Sequence, residues 1–265
     1  MSKYETKEKL DNLIFRTFNL ISQMLFSISK SKALSKRNGV LKDKHAGERC
    51  FILGTGPSLR DVDLSFIKNE IVFGVNFFYK SDIINEIKPQ YYCLYDDIFH
   101  GKNIDDTRDV FDKLPETTFF VRTKTFKSFK QHGFLNGNIY FQSCNVFQHG
   151  DYIKVDMTKN MTAPYNVVLG CIQTAIYMGF KEIYLLGCDY NSFASLKVEH
   201  FYDNKSHDVP SRQRSLGTEM KEYTMVTYHH YALEKYAKQN NIRIYNITNN
   251  SLLDAYERKN YIDLF

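Results

Sequence analysis

The chain has 265 residues, 43% hydrophobic and 25% charged, proportions of a soluble globular protein with one sizeable core and not of a disordered or membrane-spanning chain. The formal charge of +5 sits at the front: residues 1–49 hold eleven Lys/Arg against five Asp/Glu, which leaves −1 for residues 50–265. A globular part with no positive excess argues against nucleic acid as a partner, and five widely spaced cysteines with no C-x-x-C pair argue against a disulfide framework or a zinc knuckle.

Leu10, Leu13, Ile14, Phe18, Ile21, Met24, Leu25 and Ile28 recur at helical spacing. This predicts an amphipathic helix over 8–29, with Phe15, Leu20 and Phe26 widening its apolar face. Lys30, Lys32, Lys36, Arg37, Lys42 and Lys44 follow at once. Such a stripe beside a basic run suits a helix lying on an anionic membrane surface through residues 8–44. It equally suits a helix packed on the remaining chain or on another subunit. The basic run follows the apolar part and no small-residue cleavage site is evident, so a secretory signal is not expected. The expected location is the cytoplasm, peripheral on the inner membrane face where the helix binds lipid. The division expected is 1–49, helix and basic linker, and 50–265, one folded catalytic domain.

From Cys50 onward, apolar runs alternate with helix-compatible stretches. Strands are expected at 50–53, 71–75, 91–95, 118–121, 182–186 and 242–245, and helices at about 58–68, 104–113, 165–179 and 219–240. The β-α-β order calls for an α/β fold: a Rossmann-like, mostly parallel sheet with helices on both faces, which binds ligands at the carboxyl ends of its strands. Residues 191–218 interrupt the pattern with a long polar stretch rich in Ser, His, Lys, Arg and Asp. A lid-like insertion is expected there.

Between the first strand and the following helix-compatible stretch stands Gly54-Thr55-Gly56-Pro57-Ser58-Leu59. Two glycines let a backbone turn sharply and approach a ligand, and Ser58 suits a helix cap, so the segment reads as a nucleotide-phosphate loop. Leu59 replaces the third glycine of G-x-G-x-x-G, and Asn76 stands at the second strand's end where a dinucleotide site has an acidic residue. Both features count against NAD. Asp96-Asp97 follow the third strand, and adjacent carboxylates there can hold Mg2+ beside a pyrophosphate or simply cap a turn.

Two blocks carry a specific resemblance: Phe51-Ile-Leu-Gly-Thr-Gly-Pro-Ser-Leu59 with Val75-Asn76-Phe77-Phe78-Tyr79, and residues 175–190, which end Ile183-Tyr-Leu-Leu-Gly-Cys-Asp-Tyr190. They resemble the bacterial sialyltransferases of glycosyltransferase family 42 and the broader family named after a hydroxymethylpterin diphosphokinase. The sialyltransferase likeness implies that Gly54, Thr55, Gly56, Pro57, Ser58 and Asn76 hold the nucleotide of a CMP-activated sugar, with Asp96 and Asp189 near the same cleft. It implies that Tyr190, and with it Tyr202, contacts the leaving phosphate, and it makes a homo-oligomer the expected state. This chain departs from that family at Thr55, at Asp96-Asp97 and at 163–166.

Sugar transfer needs a base for the acceptor hydroxyl and compensation for charge on the departing phosphate. His200 in the lid-like segment is the candidate base, with His207 as substitute. His229-His230 lie side by side on an expected helix and point to different faces, a poor metal pair. The function expected is a glycosyltransferase using a nucleotide sugar, CMP-sialic acid or another CMP-nonulosonate or Kdo-type donor, on a glycan or lipid-linked acceptor in surface polysaccharide assembly. No resident cofactor is expected beyond the Mg2+ option at Asp96/Asp97. The alternatives are an ATP- and Mg2+-dependent pterin diphosphokinase and a non-catalytic nucleotide-binding scaffold.

Overall fold

The computed structural model describes residues 2–100, 104–194, 201 and 215–264. In chain order it comprises α1 (Lys3–Ile28), α2 (Lys30–Lys36), β1 (Arg49–Leu53), β2 (Val72–Val75), β3 (Tyr91–Leu94), α3 (Ile104–Lys113), β4 (Thr118–Arg122), α4 (Phe126–Gln131), β5 (Ile139–Val146), β6 (Asn160–Thr162), α5 (Val167–Tyr177), β7 (Glu182–Leu186), α6 (Leu216–Gln239), β8 (Arg243–Asn246) and β9 (Glu257–Arg258). The strands form one sheet in the order β6-β5-β4-β3-β2-β1-β7-β8-β9. Every ladder between them is parallel.

Alternation along each strand feeds two cores. Cys50, Ile52, Phe73, Val75, Tyr91, Cys93 and Phe120 face α5 and α6. Phe51, Leu53, Val72, Tyr92, Leu94, Phe119 and Val121 face the layer that holds Val110 of α3 and Phe129 of α4. Both faces of the sheet are therefore covered, as an all-parallel sheet requires. The chain winds outward from β1 to β6, returns through α5 to β7 beside β1, and winds the other way. The carboxyl ends of β1 and β7 flank that reversal, where doubly wound sheets form their ligand crevice.

Residues 57–68 are two 3-10 turns, Pro57–Asp61 and Leu64–Ile67, in place of the expected helix. Val62 between them is extended, and the Asp63 carboxylate accepts the Ser65 N–H at 2.9 Å, which restarts the turn. Strand β5 was hidden by its polar residues. Gln142 donates to Thr174 Oγ1 at 2.9 Å, and Ser143 donates to Asn160 on β6 at 3.1 Å.

The front of the chain is built into the fold. Asn38 is fully buried and donates to the carbonyls of Phe141 and Met157, each at 2.8 Å. Helix α1 begins with a capping box between Ser2 and Glu5 and lies along β5 and the edge strand β6. Its polar flank makes the contact. The Asn19 amide bonds both ways to the Phe147 backbone at 2.8 and 2.7 Å, and Ser22 and Gln23 reach Asn145, Asn160 or both. Phe15 stacks on Phe147, and Phe26 is buried. The helix thus covers a sheet edge that would otherwise pair with other chains. The stripe of Leu10, Leu13, Ile14, Phe18, Leu20, Ile21, Met24, Leu25 and Ile28 is left outward, 42–84% exposed.

Candidate functional site

At the reversal point lies a cleft lined by Gly54–Pro57 at the end of β1, residues 187–192 after β7, Asn166–Val168 at the start of α5, Tyr223 and His230 of α6, and Leu253. Its volume within the described residues is about 210 Å³. Sites that enclose a drug-sized ligand measure about 300–1,000 Å³, so this cleft encloses one end of such a ligand.

The glycine loop and the end of β7 are locked together. Gly54 and Gly56 donate to the carbonyls of Leu186 and Gly187 at 2.8 and 2.9 Å. Asp189, 8% exposed, accepts the Ser58 N–H at 3.1 Å and the Ser58 hydroxyl at 2.7 Å. A Cβ on Gly54 would stand 2.3 Å from the Gly187 carbonyl oxygen, and one on Gly56 1.8 Å from the Asp189 carboxylate. Both glycines are therefore required by the neighbouring loop. The amides of Gly54, Gly56 and Ser58 are already bonded within the protein, and among the described residues the Thr55 N–H has no partner.

Asn76 has a left-handed backbone, φ 39°. Its side-chain oxygen accepts the Tyr95 and Asp96 N–H groups at 3.1 and 3.3 Å, which ties the end of β2 to that of β3. Asp96 in turn accepts the Ile98 N–H at 3.2 Å, and Asp97 pairs with Lys124. Among the described residues no group of three His, Cys, Asp or Glu side chains gathers as a metal site.

Tyr190 lines the cleft with its ring, and its hydroxyl turns into α6, donating to the Tyr223 carbonyl at 3.1 Å beside Thr227 Oγ1 at 2.6 Å. Burial pushes its pKa up to about 12. Burial also pushes the Cys188 thiol up to about 12, so it lines the cleft as a neutral thiol. His200, Tyr202 and His207 lie outside the described residues. Phe201 between them is buried against Phe78, its N–H donates to the Thr55 carbonyl at 3.2 Å, and its carbonyl accepts from Arg60 at 3.3 Å.

Two other walls of the cleft lie outside the expected ligand contacts. Asn166 caps α5 through Leu169 N–H at 2.9 Å, and the N–H groups of Val167 and Val168, at the positive end of the helix dipole, have no partner among the described residues. His230, 1% exposed, meets the cleft with its ring while Nδ1 bonds Tyr256 at 2.8 Å. The recoverable signal for the first was an Asn ahead of an apolar helix. For the second it was a histidine among the buried positions of α6.

The solved structures similar to this chain share its fold. The α-2,3-sialyltransferase Cst-I from Campylobacter jejuni matches with a TM-score of 0.52 and 17% identity, over 80% of this chain and 79% of that one. The MAf glycosyltransferase from Magnetospirillum magneticum AMB-1 matches with a TM-score of 0.50 and 13% identity; 89% of this chain is covered, and it spans 39% of that protein. The sialyltransferase CstII from Campylobacter jejuni matches with a TM-score of 0.49 and 18% identity, over 80% and 85% of the two chains. The fold is thus one that Cst-I and the MAf glycosyltransferase also have. A search of the curated proteins finds no match. The family model described as 6-hydroxymethylpterin diphosphokinase MptE-like matches residues 23–192, from within α1 to the cleft loop after β7, and the chain belongs to that MptE-like family.

Proposed function

We propose that the protein is a glycosyltransferase that takes a nucleotide-activated sugar, with CMP-sialic acid or another CMP-nonulosonate or Kdo-type sugar as donor, in the assembly of a bacterial surface polysaccharide. The observation that carries this reading is the cleft at the sheet reversal, whose unpaired α5 amides offer an anion two donors and a helix dipole. In a single displacement with inversion, His200 takes the proton of the acceptor hydroxyl, that oxygen attacks the anomeric carbon, and the nucleotide phosphate leaves with the bonding pair. Support for His200 comes from its neighbour in sequence, Phe201, which is bonded to Thr55 of the cleft. Tyr202 joins it as the phosphate-contacting tyrosine, and Gly54–Ser58, Asn76, Asp96 and Asp189 shape the nucleotide site.

Thermal stabilisation by CMP, UDP, GDP, ADP and ATP, each with Mg2+ and with EDTA, tests the donor class, because a ligand of the native state raises its stability. Stabilisation by CMP in EDTA is expected, and silence with every nucleotide would sink the proposal. His200→Ala should lower kcat by about 10²–10⁴-fold, the usual contribution of a general base. The family description favours a second reading, an ATP-dependent diphosphokinase. Stabilisation by ATP only with Mg2+ would select it, and a wild type that binds nucleotide without transferring any sugar, with His200→Ala binding alike, would favour a scaffold.

The acceptor side of the reading is an anionic membrane surface under α1. The outward stripe from Leu10 to Ile28 carries no charged side chain, and exposed Lys3, Lys7 and Lys9 precede it while Lys30, Lys32 and Lys36 follow it. Among the described residues no helix is long and apolar enough to cross a membrane. The arrangement suits a helix lying flat, with lysines on lipid headgroups at both ends. Vesicles containing phosphatidylserine should sediment the protein, and Leu20→Ser with Leu25→Ser should weaken that binding at least tenfold, given about 1.5–3 kcal/mol per buried leucine. Equal binding by the double variant would refute the lipid contact, and a stable dimer that ignores vesicles would assign the stripe to a second copy.

A further inference from the structure

The histidine pair of α6 splits in role. His229 is sealed behind Tyr165 and Gln173, whereas His230 reaches the cleft. What His230 shows there follows from its other side. Its Nδ1 lies 2.8 Å from the Tyr256 hydroxyl, and Tyr256 is itself 3% exposed, its hydroxyl with no other hydrogen-bond partner among the described residues. Were Nδ1–H the donor, the buried phenol O–H would be left without an acceptor, a costlier arrangement than an unused oxygen lone pair. The phenol therefore donates to Nδ1, and the ring proton resides on Nε2. That N–H has no partner among the described residues and is not sealed in the core.

The same cleft is walled by Asn166, Val167 and Val168, where the first amides of α5 also await an acceptor. All three donors belong to residues that wall this one cleft, while the nearby carboxylate of Asp189 is bonded to Ser58. A group rich in acceptor oxygens and negative in charge satisfies all three. We infer that His230, held in the Nε2–H tautomer by Tyr256, donates to an oxygen of the phosphate of a nucleotide bound against the start of α5. This rests on the nucleotide reading of the cleft and adds to it a side chain that selects phosphate. Burial lowers the His230 pKa to about 3, so the donor is a neutral imidazole and the phosphate charge is met by dipoles.

The test compares CMP with cytidine, and ATP with adenosine, by titration calorimetry on wild type, His230→Leu, His230→Gln and Tyr256→Phe. His230→Leu should bind the nucleotide about 10- to 100-fold more weakly, the span of a lost hydrogen bond to a charged group, and bind the nucleoside as wild type does. Glutamine carries an N–H donor near the Nε2 position and should restore most of the loss, and Tyr256→Phe should fall between. Nitrogen-15 spectra of the wild-type histidines should show an unprotonated Nδ1 on His230, a readout independent of how any variant folds. A protonated Nδ1, a His230→Leu protein that holds the nucleotide as tightly as wild type, or equal losses for nucleotide and nucleoside would each overturn the inference. Wild type that binds no nucleotide overturns the nucleotide reading itself, which is distinct from wild type that binds while His230→Leu binds equally well.

Discussion

Gly54→Ala is expected to destabilise the protein by about 3 kcal/mol or more and to abolish nucleotide binding, at the upper end of overpacking effects. The added methyl would stand 2.3 Å from the Gly187 oxygen and 2.9 Å from its carbonyl carbon, and both are backbone atoms. Neither can swing aside, because Gly54 and Gly56 donate to Leu186 and Gly187 in the same junction. Gly187 is itself confined by its left-handed backbone, φ 69°, with Leu59 packed where a Cβ would be. Relief requires parting the ends of β1 and β7, which breaks the Ser58–Asp189 bonds and opens the cleft floor. Gly137→Ala is the control: a Cβ there meets nothing within 4 Å, so its urea midpoint should match wild type to within about 0.5 kcal/mol. Equal midpoints for Gly54→Ala and Gly137→Ala would show that the two loops separate without cost.

The same junction marks how far the sequence could be read. The strands that became β1, β2, β3, β4, β7 and β8 were legible because each is an apolar run in a fully buried parallel sheet, where strands are continuous in hydrophobicity. β5 was missed because Gln142, Ser143 and Asn145 stand within it, and only tertiary partners on β6, α1 and α5 explain why a buried strand tolerates them. The helix expected at 58–68 failed because Asp63 bonds its own backbone two residues on, a local competitor that periodicity does not weigh. For α1 the period was legible, and the choice between a lipid-facing and a protein-facing stripe was not; the polar flank packs on the sheet edge, since amides and hydroxyls fit the polar edge of β6 better than leucines do. In the glycine loop, residue type allowed either a ligand cradle or a close approach of two backbones. The second demand came from residues about 130 positions away, which no local motif reports.

Acid should unfold this protein early, with stability falling below pH 6.5 and about 4 kcal/mol lost by pH 5. His229 and His230 are buried on α6, and desolvation lowers each from the ordinary 6.5 to about 3; the proximity of His229 adds to the shift of His230. Among the described residues the pair makes ring contacts and hydrogen bonds with Tyr165, Tyr190, Tyr256 and Gln173, none of which supplies a negative charge to an imidazolium at this pH. The unfolded chain protonates both rings near pH 6.5 and the folded chain resists until about pH 3, so in that window the unfolded state holds up to two more protons. Stability therefore rises with pH across the window, and each ring contributes about 1.36 kcal/mol per pH unit. A loss of about 4 kcal/mol is a large part of the roughly 5–15 kcal/mol of an ordinary domain. Urea titrations between pH 4.5 and 7.5 should give a slope near two protons for wild type. His229→Gln keeps an amide for Gln173 and removes one titrating ring, so its slope should fall by about one proton while its stability above pH 7 changes less than at pH 5. An acid limb that the substitution leaves unaltered would mean that the folded protein takes up a proton at this position as easily as the unfolded chain does.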